Sequence, residues 1–423
     1  MTQTPTPPDA PDCFAVGDRL MALDEALDLL QARLRPVVAV ERVPLRGAGG
    51  RVLAADGVAA VSHPGADTAA MDGYAVRHAD LSATGPVTLP VTGRVAAGHP
   101  LDRALDPGTA VRIFTGGVMP EGADTVIMQE DVTDTGGGRV TLPAGVPAGR
   151  HMRGAASDFR AGTTVLTAGR RLRPPDIALA ASAGLSHLPV FERVRVSVFS
   201  TGDEVVEPGT PLPPGGLYDG NRYGVMALAD GLGAAVTDLG RLPDDRDAIR
   251  GALDAAADDH DLLITSGGVS VGGEDHVRDA VSALGDLHFW RLALKPGKPA
   301  ALGTIRDTVF LGLPGNPVSA LVTFLLIARP VIRRLGGCAA SRPRRYPLPA
   351  GFAFETGGTR REFLRGWVED TADGPVVRLY RSQDSAMISA MGAAGGLVDV
   401  PAGTRRIEPG QSVDYLPLNE VLA

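Results

Sequence analysis

Short apolar runs alternate with amphipathic segments in the centre of the chain, and this alternation restricts the fold more than any other feature. The pattern predicts, in order, a strand at 194–200, a helix at 221–230, a strand at 235–239, a helix at 245–258 and a strand at 262–265. Strands joined through helices in this way are parallel, and their crossovers are right-handed. We therefore expect a three-layer α/β domain with a parallel sheet, whose ligands bind beyond the carboxyl ends of the strands.

The last of these strands runs into a glycine-rich loop, which reads DLLITSGGVSVGGED at 261–275. Glycine lacks a Cβ atom, so this backbone can turn tightly and direct several N–H groups at one ligand, most naturally a phosphate. The candidate binding residues of the loop are Gly267, Gly268, Ser270 and Gly272. A tight strand-to-helix turn would explain the glycines equally well.

Acidic residues follow all three predicted strands at what must be one edge of the sheet. Asp203 and Glu204 follow the first strand, Asp244 and Asp245 the second, and Asp275 the glycine loop. A single Asp in such a place is often only a helix N-cap, and Asp244 or Asp245 could be that. Helix capping alone does not explain why acidic residues from three strand ends meet at one edge of the sheet. Carboxylates beside a phosphate loop would repel the ligand unless a hard cation lay between them, so Mg²⁺ is the expected metal.

Two further loops in the same domain carry features of an anion site. Lys295 and Lys298 stand in a KPGKP segment whose prolines stiffen the backbone. A strand predicted at 309–313 is followed by a loop with the candidate binding residues Pro314, Gly315, Asn316 and Pro317. Asn316 and Pro317 have the pattern of a helix start, which alone would make Asn316 a cap. A helix N-terminus beside two lysines also attracts anions.

In the part of the chain before the α/β region, the sequence pattern changes from helical to β-like and back to helical. A helix with apolar spacing is predicted at 23–34, short β-like runs at 87–95, 110–115 and 125–132, and a second helical segment at 176–184. We expect the two helical segments to pack beside each other. The pair Asp72-Gly73 lies in the β-rich part and by itself predicts a turn. Residues 1–16 have the composition of a disordered lead-in without a signal-peptide pattern.

Composition excludes several classes of function. The net charge of −8 argues against an extended nucleic-acid surface, which needs clustered Lys and Arg. Cys13 and Cys338 stand far apart and in no metal-binding pattern, which favours a reducing cytoplasm over a disulfide framework. The most apolar run, 320–328, is too short to span a membrane and predicts a buried helix.

Six motifs together resemble the molybdopterin molybdenumtransferase (molybdenum insertase) family, which also includes the C-terminal catalytic region of gephyrin. They are AMDGYA, FSTGDE, YDGNR, TSGGVSVGGED, LKPGKP and LPGNPVS, and the resemblance runs from about Leu23 to the end of the chain. The SGGVSVG loop alone also resembles single-domain molybdopterin adenylyltransferases and a group of nucleotide hydrolases. The upstream AMDGYA and FTGGVMPEGADTVI segments separate this chain from them.

The resemblance implies a multidomain α/β plus β fold, in an elongated homodimer. The implied units are a helical linking domain at 17–50 and 150–190, a β-rich domain at 51–149, the α/β molybdopterin-binding domain at 191–337, and a C-terminal β-barrel at 338–423. Strand-like patterns at 361–369 and 376–380 agree with the last of these.

The resemblance also implies the chemistry. Such proteins take adenylylated molybdopterin and molybdate, cleave the pyrophosphate link with a divalent cation, release AMP and leave molybdenum on the pterin dithiolene. Asp203, Glu204, Asp244 and Asp275 would hold Mg²⁺ and orient water, with Glu204, Asp244 and Asp275 as the metal ligands. Lys295 and Lys298 would meet the molybdate or phosphate oxyanion. Further partners would be the adenylyltransferase that makes the substrate and the molybdoenzymes that receive the product.

Residues outside the α/β core complete the implied site. Ser319, Arg360 and Ser385 would finish the oxyanion pocket, while Asp72, Thr115 and Asp158 would reach the cleft across the dimer interface. The chain departs from the family's R-x-x-G-E-D pattern, because Ala156 and Ser157 replace its glycine and glutamate.

Two other functions stay open at this point. One is a scaffold that keeps the fold without activity, as a gephyrin-like clustering protein would; retention of the acids and lysines speaks against it. The other is an adenylyltransferase-like or other nucleotide-processing enzyme.

Overall fold

The structure, a computed structural model, describes residues 20–268, 276–339 and 342–422. Up to residue 191 the chain forms mostly short strands. In chain order its elements are α1 (Leu23–Arg33), β1 (Val40–Pro44), α2 (Leu45–Ala48), β2 (Gly57–Val58), β3 (Thr68–Ala69), β4 (Gly73–Val76), β5 (Val87–Val95), β6 (Ala110–Ile113), β7 (Thr125–Met128), β8 (Thr133–Gly136), β9 (Arg139–Leu142), β10 (Met152–Arg153), β11 (Thr164–Leu166), α3 (Pro174–Ser182) and β12 (His187–Phe191).

The predicted β-rich domain is a six-stranded sheet in the order β7-β4-β6-β5-β9-β8. Ala75, Val111 and Ile113 lie in a buried cluster against one face of this sheet. Gly73 is required where β4 meets β7, because a Cβ atom there would lie 1.9 Å from the carbonyl oxygen of Ile127. The Asp72-Gly73 pair is therefore the start of a central strand, and it places Asp72 at the end of the sheet.

The linking region is less helical than expected. Strands β1 and β12 pair in antiparallel fashion and pack with α3 in one small core, which includes Val43, Ala180 and Leu188. The expectation that the two helical segments pack beside each other is wrong. The narrow apolar stripe of α1 (Leu23, Ala26 and Leu30) is instead buried in the core of the α/β domain. Helix α3 contacts α2 and β11, whereas α1 contacts α8, so the two helices bury their apolar faces in different cores.

The α/β domain contains the predicted elements at nearly the predicted places. They are β13 (Arg195–Ser200), β14 (Val205–Val206), β15 (Leu217–Tyr218), α4 (Gly220–Gly231), β16 (Ala235–Arg241), α5 (Arg246–Asp259), β17 (Leu262–Ser266), α6 (His276–Leu284), β18 (Gly285–Arg291), β19 (Leu294–Lys295), β20 (Pro299–Ile305), β21 (Thr308–Leu313), α7 (Pro317–Thr323) and α8 (Arg329–Leu335). Helices α1, α4, α7 and α8 contribute to the core on one face of the sheet, and α5 and α6 to that on the other, which confirms three layers.

The sheet itself is mixed rather than purely parallel. Its order is β16-β13-β17-β21-β20-β18, and only the first four strands are parallel. Ile305 pairs with Thr308, so only Arg306 and Asp307 connect β20 to β21. So short a connection permits only antiparallel neighbours, whereas a parallel pair needs a long crossover.

Helices α7 and α8 are joined without a break by a π-helical turn, Phe324–Ala328. Every residue of that turn is buried, as the apolar run at 320–328 predicted. In the part of the chain that the structure describes, no helix combines the length and apolar character needed to cross a membrane.

The C-terminal unit is the expected β-barrel. Its elements are β22 (Tyr346–Pro349), β23 (Phe354–Glu355), β24 (Arg361–Thr371), β25 (Gly374–Leu379), α9 (Ile388–Ala393), β26 (Gly396–Val400), β27 (Arg406–Ile407), β28 (Ser412–Pro417) and α10 (Leu418–Leu422). The order β25-β24-β26-β28-β22 is closed by a bridge between Ala350 and Val377. Strand β19 of the α/β domain also pairs with β24, so the barrel is attached to that domain through backbone hydrogen bonds.

Ala156 has a strained backbone conformation, with φ +56°. It stands where the R-x-x-G-E-D pattern has glycine, which leads to a prediction about stability. An L-residue in this left-handed region is strained by its Cβ atom, and glycine is not. We expect Ala156→Gly to raise the free energy of unfolding by about 0.5–1 kcal/mol, measured by urea denaturation. The neighbouring Ala155→Gly, at a residue without positive φ, is the control and should be neutral or destabilising. Equal effects of the two substitutions would contradict the strain argument.

Candidate functional site

A cleft of about 780 Å³ lies at the carboxyl ends of the parallel strands, where the topology predicts a ligand site. Ser200 at the end of β13 and Ser266 at the end of β17 line it, as does Pro314, which follows β21. Ala386 and Ile388 reach it from the C-terminal unit. The cleft is thus built from two units of the same chain.

The start of the glycine loop lines this cleft, and its geometry requires glycine. Gly267 and Gly268 have φ of +89° and +65°. A Cβ atom on Gly268 would lie 2.7 Å from Oγ1 of Thr201 and 2.8 Å from Cγ2 of Val277. The loop therefore passes too close to its neighbours to carry a side chain there. The predicted Ser270, Gly272 and Asp275 lie outside the described residues.

The loop after β21 is held by side-chain amides on both sides. Asn221 Nδ2 donates to Ser266 Oγ at 2.8 Å and to the carbonyl oxygen of Gly315 at 2.7 Å, which ties the ends of β17 and β21 together. Asn316 Nδ2 donates to Ser385 Oγ at 3.1 Å. The side chain of Asn316 makes no capping hydrogen bond to its own helix, α7. The interpretation of Asn316 as only a helix cap is therefore wrong.

Ser385 meets the N-terminal turn of α7. Its Oγ accepts from Asn316, and its backbone carbonyl oxygen accepts a hydrogen bond from the backbone N–H of Val318 at 3.0 Å. Pro317 and Ser319 on α7 also line the cleft. The first turn of a buried helix and the hydroxyl-bearing side chain of Ser319 therefore form one wall of the cleft, with Ser385 bonded to its rim.

An ionic network centred on the buried pair Asp219 and Arg222 lies next to the cleft, which Asp219 lines, and sequence reasoning assigned it no role. Asp219 caps α4 through the N–H of Arg222 at 3.0 Å, accepts from Ser200 Oγ at 2.5 Å and pairs with Arg222 Nε at 2.9 Å. Arg222 also pairs with Asp238 and Glu207. Burial lowers the pKa of Arg222, but hydrogen bonds to Asp238 and Asp219 outweigh it and raise the pKa. The YDGNR motif could have revealed this network, because in it an N-cap Asp stands three residues before an Arg.

The predicted acids are not all brought to the cleft. Glu204 lines it, and Gly202, with φ +123°, leaves room for its carboxylate, since a Cβ atom would lie 2.7 Å from Glu204 Oε2. The side chain of Asp203 is 90% exposed, with Arg241 at 3.9 Å. Asp245 caps α5 through the N–H of Ala248, and its neighbour Asp244 is exposed. Within the described ranges no three His, Cys, Asp or Glu residues converge on a metal position.

The two predicted lysines differ in their surroundings. Both lysines are exposed, but Lys295 Nζ lies 3.1 Å from Oε2 of Glu362, a buried carboxylate. Gly297 between them packs on α7, since a Cβ atom there would lie 2.5 Å from Thr323 Oγ1. Arg360 joins the same loop by donating from NH1 to the carbonyl oxygen of Leu294 at 3.2 Å. This basic loop lies beside α7, although neither lysine belongs to the described lining of the cleft.

The candidate residues of the β-rich domain form their own small arrangement. Asp72 Oδ1 accepts from the backbone N–H of Thr115 at 2.8 Å and from its Oγ1 at 2.7 Å. These two bonds lower the pKa of Asp72, so the carboxylate is charged at neutral pH. Asp158 is exposed, and its N–H donates to the carbonyl oxygen of His63. None of the three belongs to the described lining of the cleft in the same chain.

Three family descriptions match the chain in sequence order. They are the MoeA N-terminal region (domain I and II) at 21–184, the probable molybdopterin binding domain at 197–334 and the MoeA C-terminal region (domain IV) at 347–418.

Individual relatives cover most of the chain. It is 36% identical to the molybdopterin molybdenumtransferase of Haemophilus influenzae, over 95% of this chain and 100% of that protein. It is 40% identical to molybdopterin molybdenumtransferase 2 of Mycobacterium tuberculosis, over 89% and 94%. The crystal structure of a molybdopterin biosynthesis MoeA protein from Pyrococcus horikoshii OT3 superposes with a TM-score of 0.82 at 27% identity, covering 94% of this chain and 100% of that one. The chain belongs to the molybdopterin molybdenumtransferase family, whose members are enzymes of molybdenum cofactor biosynthesis.

Proposed function

We propose that this enzyme inserts molybdate into adenylylated molybdopterin and releases AMP. The observation that carries the proposal is the single cleft where the glycine loop, the loop after β21, Glu204 and the segment next to Ser385 meet. That cleft is concave and polar at one wall, and it is large enough for a nucleotide-sized ligand at about 780 Å³.

Each wall of the cleft has a distinct role in this proposal. The glycine loop at Gly268 and the first turn of α7 would lie beside the phosphate oxygens, because both line the cleft. Asn316 and Ser385 orient one another and donate to the oxyanion. The basic loop with Lys298, to which Arg360 is bonded, lies beside α7 and would attract molybdate.

The donors fit a hard cation. Mg²⁺ in proteins is often held by one or two carboxylates together with substrate phosphates and water, and Glu204 supplies one such carboxylate in the cleft. Asp244 and Asp275 are the further ligands that we propose. When bound, Mg²⁺ supplies charge neutralisation on the phosphates.

We also propose that the working site is shared between two chains of a homodimer. Asp72 and Thr115 carry a charged, preorganised arrangement that the cleft of their own chain does not use. A two-fold axis would bring the β-rich domain of each chain to the cleft of the other, and the contact would occur twice.

The first functional prediction concerns Glu204. Glu204→Gln should lower AMP release at least about a hundredfold while pterin binding changes less than about tenfold, because the lost charge matters most in the transition state. The measurement is AMP release from adenylylated molybdopterin with molybdate present. Asp245→Asn is the matched control, since it removes the same charge nearby and Asn still caps α5. Unchanged turnover in Glu204→Gln would remove Glu204 from the site, and binding without any release by the wild type would support a scaffold.

The second prediction separates the two lysines. Lys298→Ala should raise the molybdate concentration for half-maximal insertion without changing the unfolding midpoint, because Lys298 is exposed. Lys295→Ala should also destabilise the protein by about 1–3 kcal/mol, since it leaves the buried Glu362 carboxylate without its ion-pair partner. Molybdate titrations and urea denaturation measure the two effects. If Lys298→Ala weakens pterin binding more than molybdate use, Lys298 binds the pterin phosphate instead.

The third prediction tests the shared site. Asp72→Asn keeps a hydrogen-bond acceptor for Thr115 but removes the charge, and Glu204→Gln disables the opposite part. Mixing equal amounts of the two inactive proteins should restore roughly a quarter of wild-type AMP release, because half of the dimers are mixed and each has one intact site. Subunit exchange is checked with two affinity tags. Exchange without recovered activity would mean that each cleft belongs to one chain.

A further inference from the structure

Arg365, in the middle of β24, is a buried cation to which the chemistry described above gives no role. Only 1% of its surface is exposed. Burial lowers the pKa of Arg365 to about 10, against the raising effect of the Asp384 carboxylate, so the guanidinium group stays charged at neutral pH. Burying a charge is costly unless its contacts compensate for the lost water. The contacts of Arg365 therefore have to explain its presence.

Two backbone carbonyl groups receive hydrogen bonds from this guanidinium group. Arg365 donates from Nη2 to the carbonyl oxygen of Asp384 at 3.1 Å and from Nη1 to that of Phe363 at 3.3 Å. Its Nε is buried without a hydrogen-bond partner among the residues that the structure describes. Phe363 belongs to the same strand as Arg365, so the bond to Asp384 is the one that joins β24 to another segment.

The backbone of Arg365 is bonded to the same segment through Gln383. The N–H of Arg365 donates to Gln383 Oε1 at 2.8 Å, and Gln383 Nε2 donates to the carbonyl oxygen of Arg365 at 3.0 Å. Gln383 Nε2 also donates to the carbonyl oxygen of Tyr380 at 3.1 Å. Main chain and side chain of one residue in β24 thus hold two consecutive residues, 383 and 384.

The residues that follow directly belong to the cleft. Ser385 accepts from Asn316 at its Oγ and from the N–H of Val318 at its carbonyl oxygen. Ala386 and Ile388 line the cleft. The segment held by β24 at one end is therefore attached to the first turn of α7 at the other.

We propose that Arg365 is a positioning residue, which fixes the carbonyl group of Asp384 and so holds Ser385 against the first turn of α7. This inference rests on the proposed function, in which Ser385 takes part in binding the oxyanion. Arg365 is absent from the described lining of the cleft, so it acts through Ser385 and not on the substrate. A guanidinium group suits this task, because its rigid fork of donors reaches two carbonyl groups at once.

A purely structural role for Arg365 makes a different prediction. Substitution would then loosen the barrel as a whole and lower the amount of active protein, while the folded fraction would need the same molybdate concentration as before. If Arg365 positions Ser385, the change is confined to the segment after Gln383 and to the start of α7, and the molybdate requirement rises.

Amide hydrogen exchange of the full chain tests the geometry without any substrate. Arg365→Met removes the donors and keeps a long side chain. Exchange of the Val318 N–H, followed by mass spectrometry with fragmentation to single residues, should become at least about tenfold faster, because its acceptor on Ser385 is no longer held. Exchange in β28, elsewhere in the barrel, should stay as in the wild type. Unchanged exchange at Val318, or equal acceleration in β28, would overturn the proposal.

Molybdate titration of AMP release tests the consequence for the site. Arg365→Met should raise the half-saturating molybdate concentration at least about tenfold, while turnover at saturating molybdate changes less than about threefold. Arg365→Lys keeps the charge and a donor and should recover most of the loss. Arg378→Met is the matched control, because Arg378 lies in the same barrel and also donates to a carbonyl group, but its described partners are Gly351 and Glu369. It should leave the molybdate requirement unchanged.

The two experiments separate failure of this inference from failure of the proposed function. A wild type without molybdate-dependent AMP release would contradict the proposed function, and hydrogen exchange would still decide the role of Arg365. Lower turnover of Arg365→Met at an unchanged half-saturating molybdate concentration would make Arg365 structural only and the inference wrong. If Arg365→Met does not fold, Arg365→Gln, which is too short to span both carbonyl groups, is measured in the same way with the same expectations.

Discussion

The buried ion pair between Asp219 and Arg222 underlies the architecture of the cleft. Asp219 caps α4 and binds Ser200 at the end of β13, while Arg222 extends to Asp238 on β16 and to Glu207 beyond β14. Both side chains are almost fully buried, with exposures of 3% and 1%. Removing the charge of Arg222 would leave Asp219 buried without its cationic partner, which costs about 3–5 kcal/mol. The network therefore holds the carboxyl edge of the sheet in one conformation.

Several residues that line the cleft are connected to this network by hydrogen bonds. Asn221 stands next to Arg222 on the first turn of α4, and its amide fixes both Ser266 and Gly315. The loop after β21 then presents Asn316 to Ser385. Strand β19 pairs with β24 and so attaches the C-terminal unit, which carries Ser385, to the α/β domain. The wall of the cleft next to Ser385 therefore depends on backbone hydrogen bonds between the two units. A site assembled in this way is preorganised, since few of its groups need to move when a ligand binds.

In the described lining of the cleft, Glu204 stands beside the start of the glycine loop, where the proposed function places a phosphate. In that proposal a cation would offset the repulsion between the carboxylate and the phosphate. Ion pairs such as Arg195 with Asp261, by contrast, are complete within the chain.

The sequence by itself determined the elements whose causes are local. Apolar runs and helix periods specified β13, α4, β16, α5 and β17, and the glycines at 267 and 268 marked a turn that tolerates no side chain. Recognition of the motifs then pointed to Asn316 and Ser385. Contacts between distant segments were decided only by the tertiary structure: the burial of α1 against the α/β domain, the closure of the barrel at Ala350 and Val377, and the pairing of Lys295 with Glu362. Local periodicity specifies which face of an element is apolar, but which surface covers that face depends on the whole chain, because burial is non-directional and any complementary surface can satisfy it.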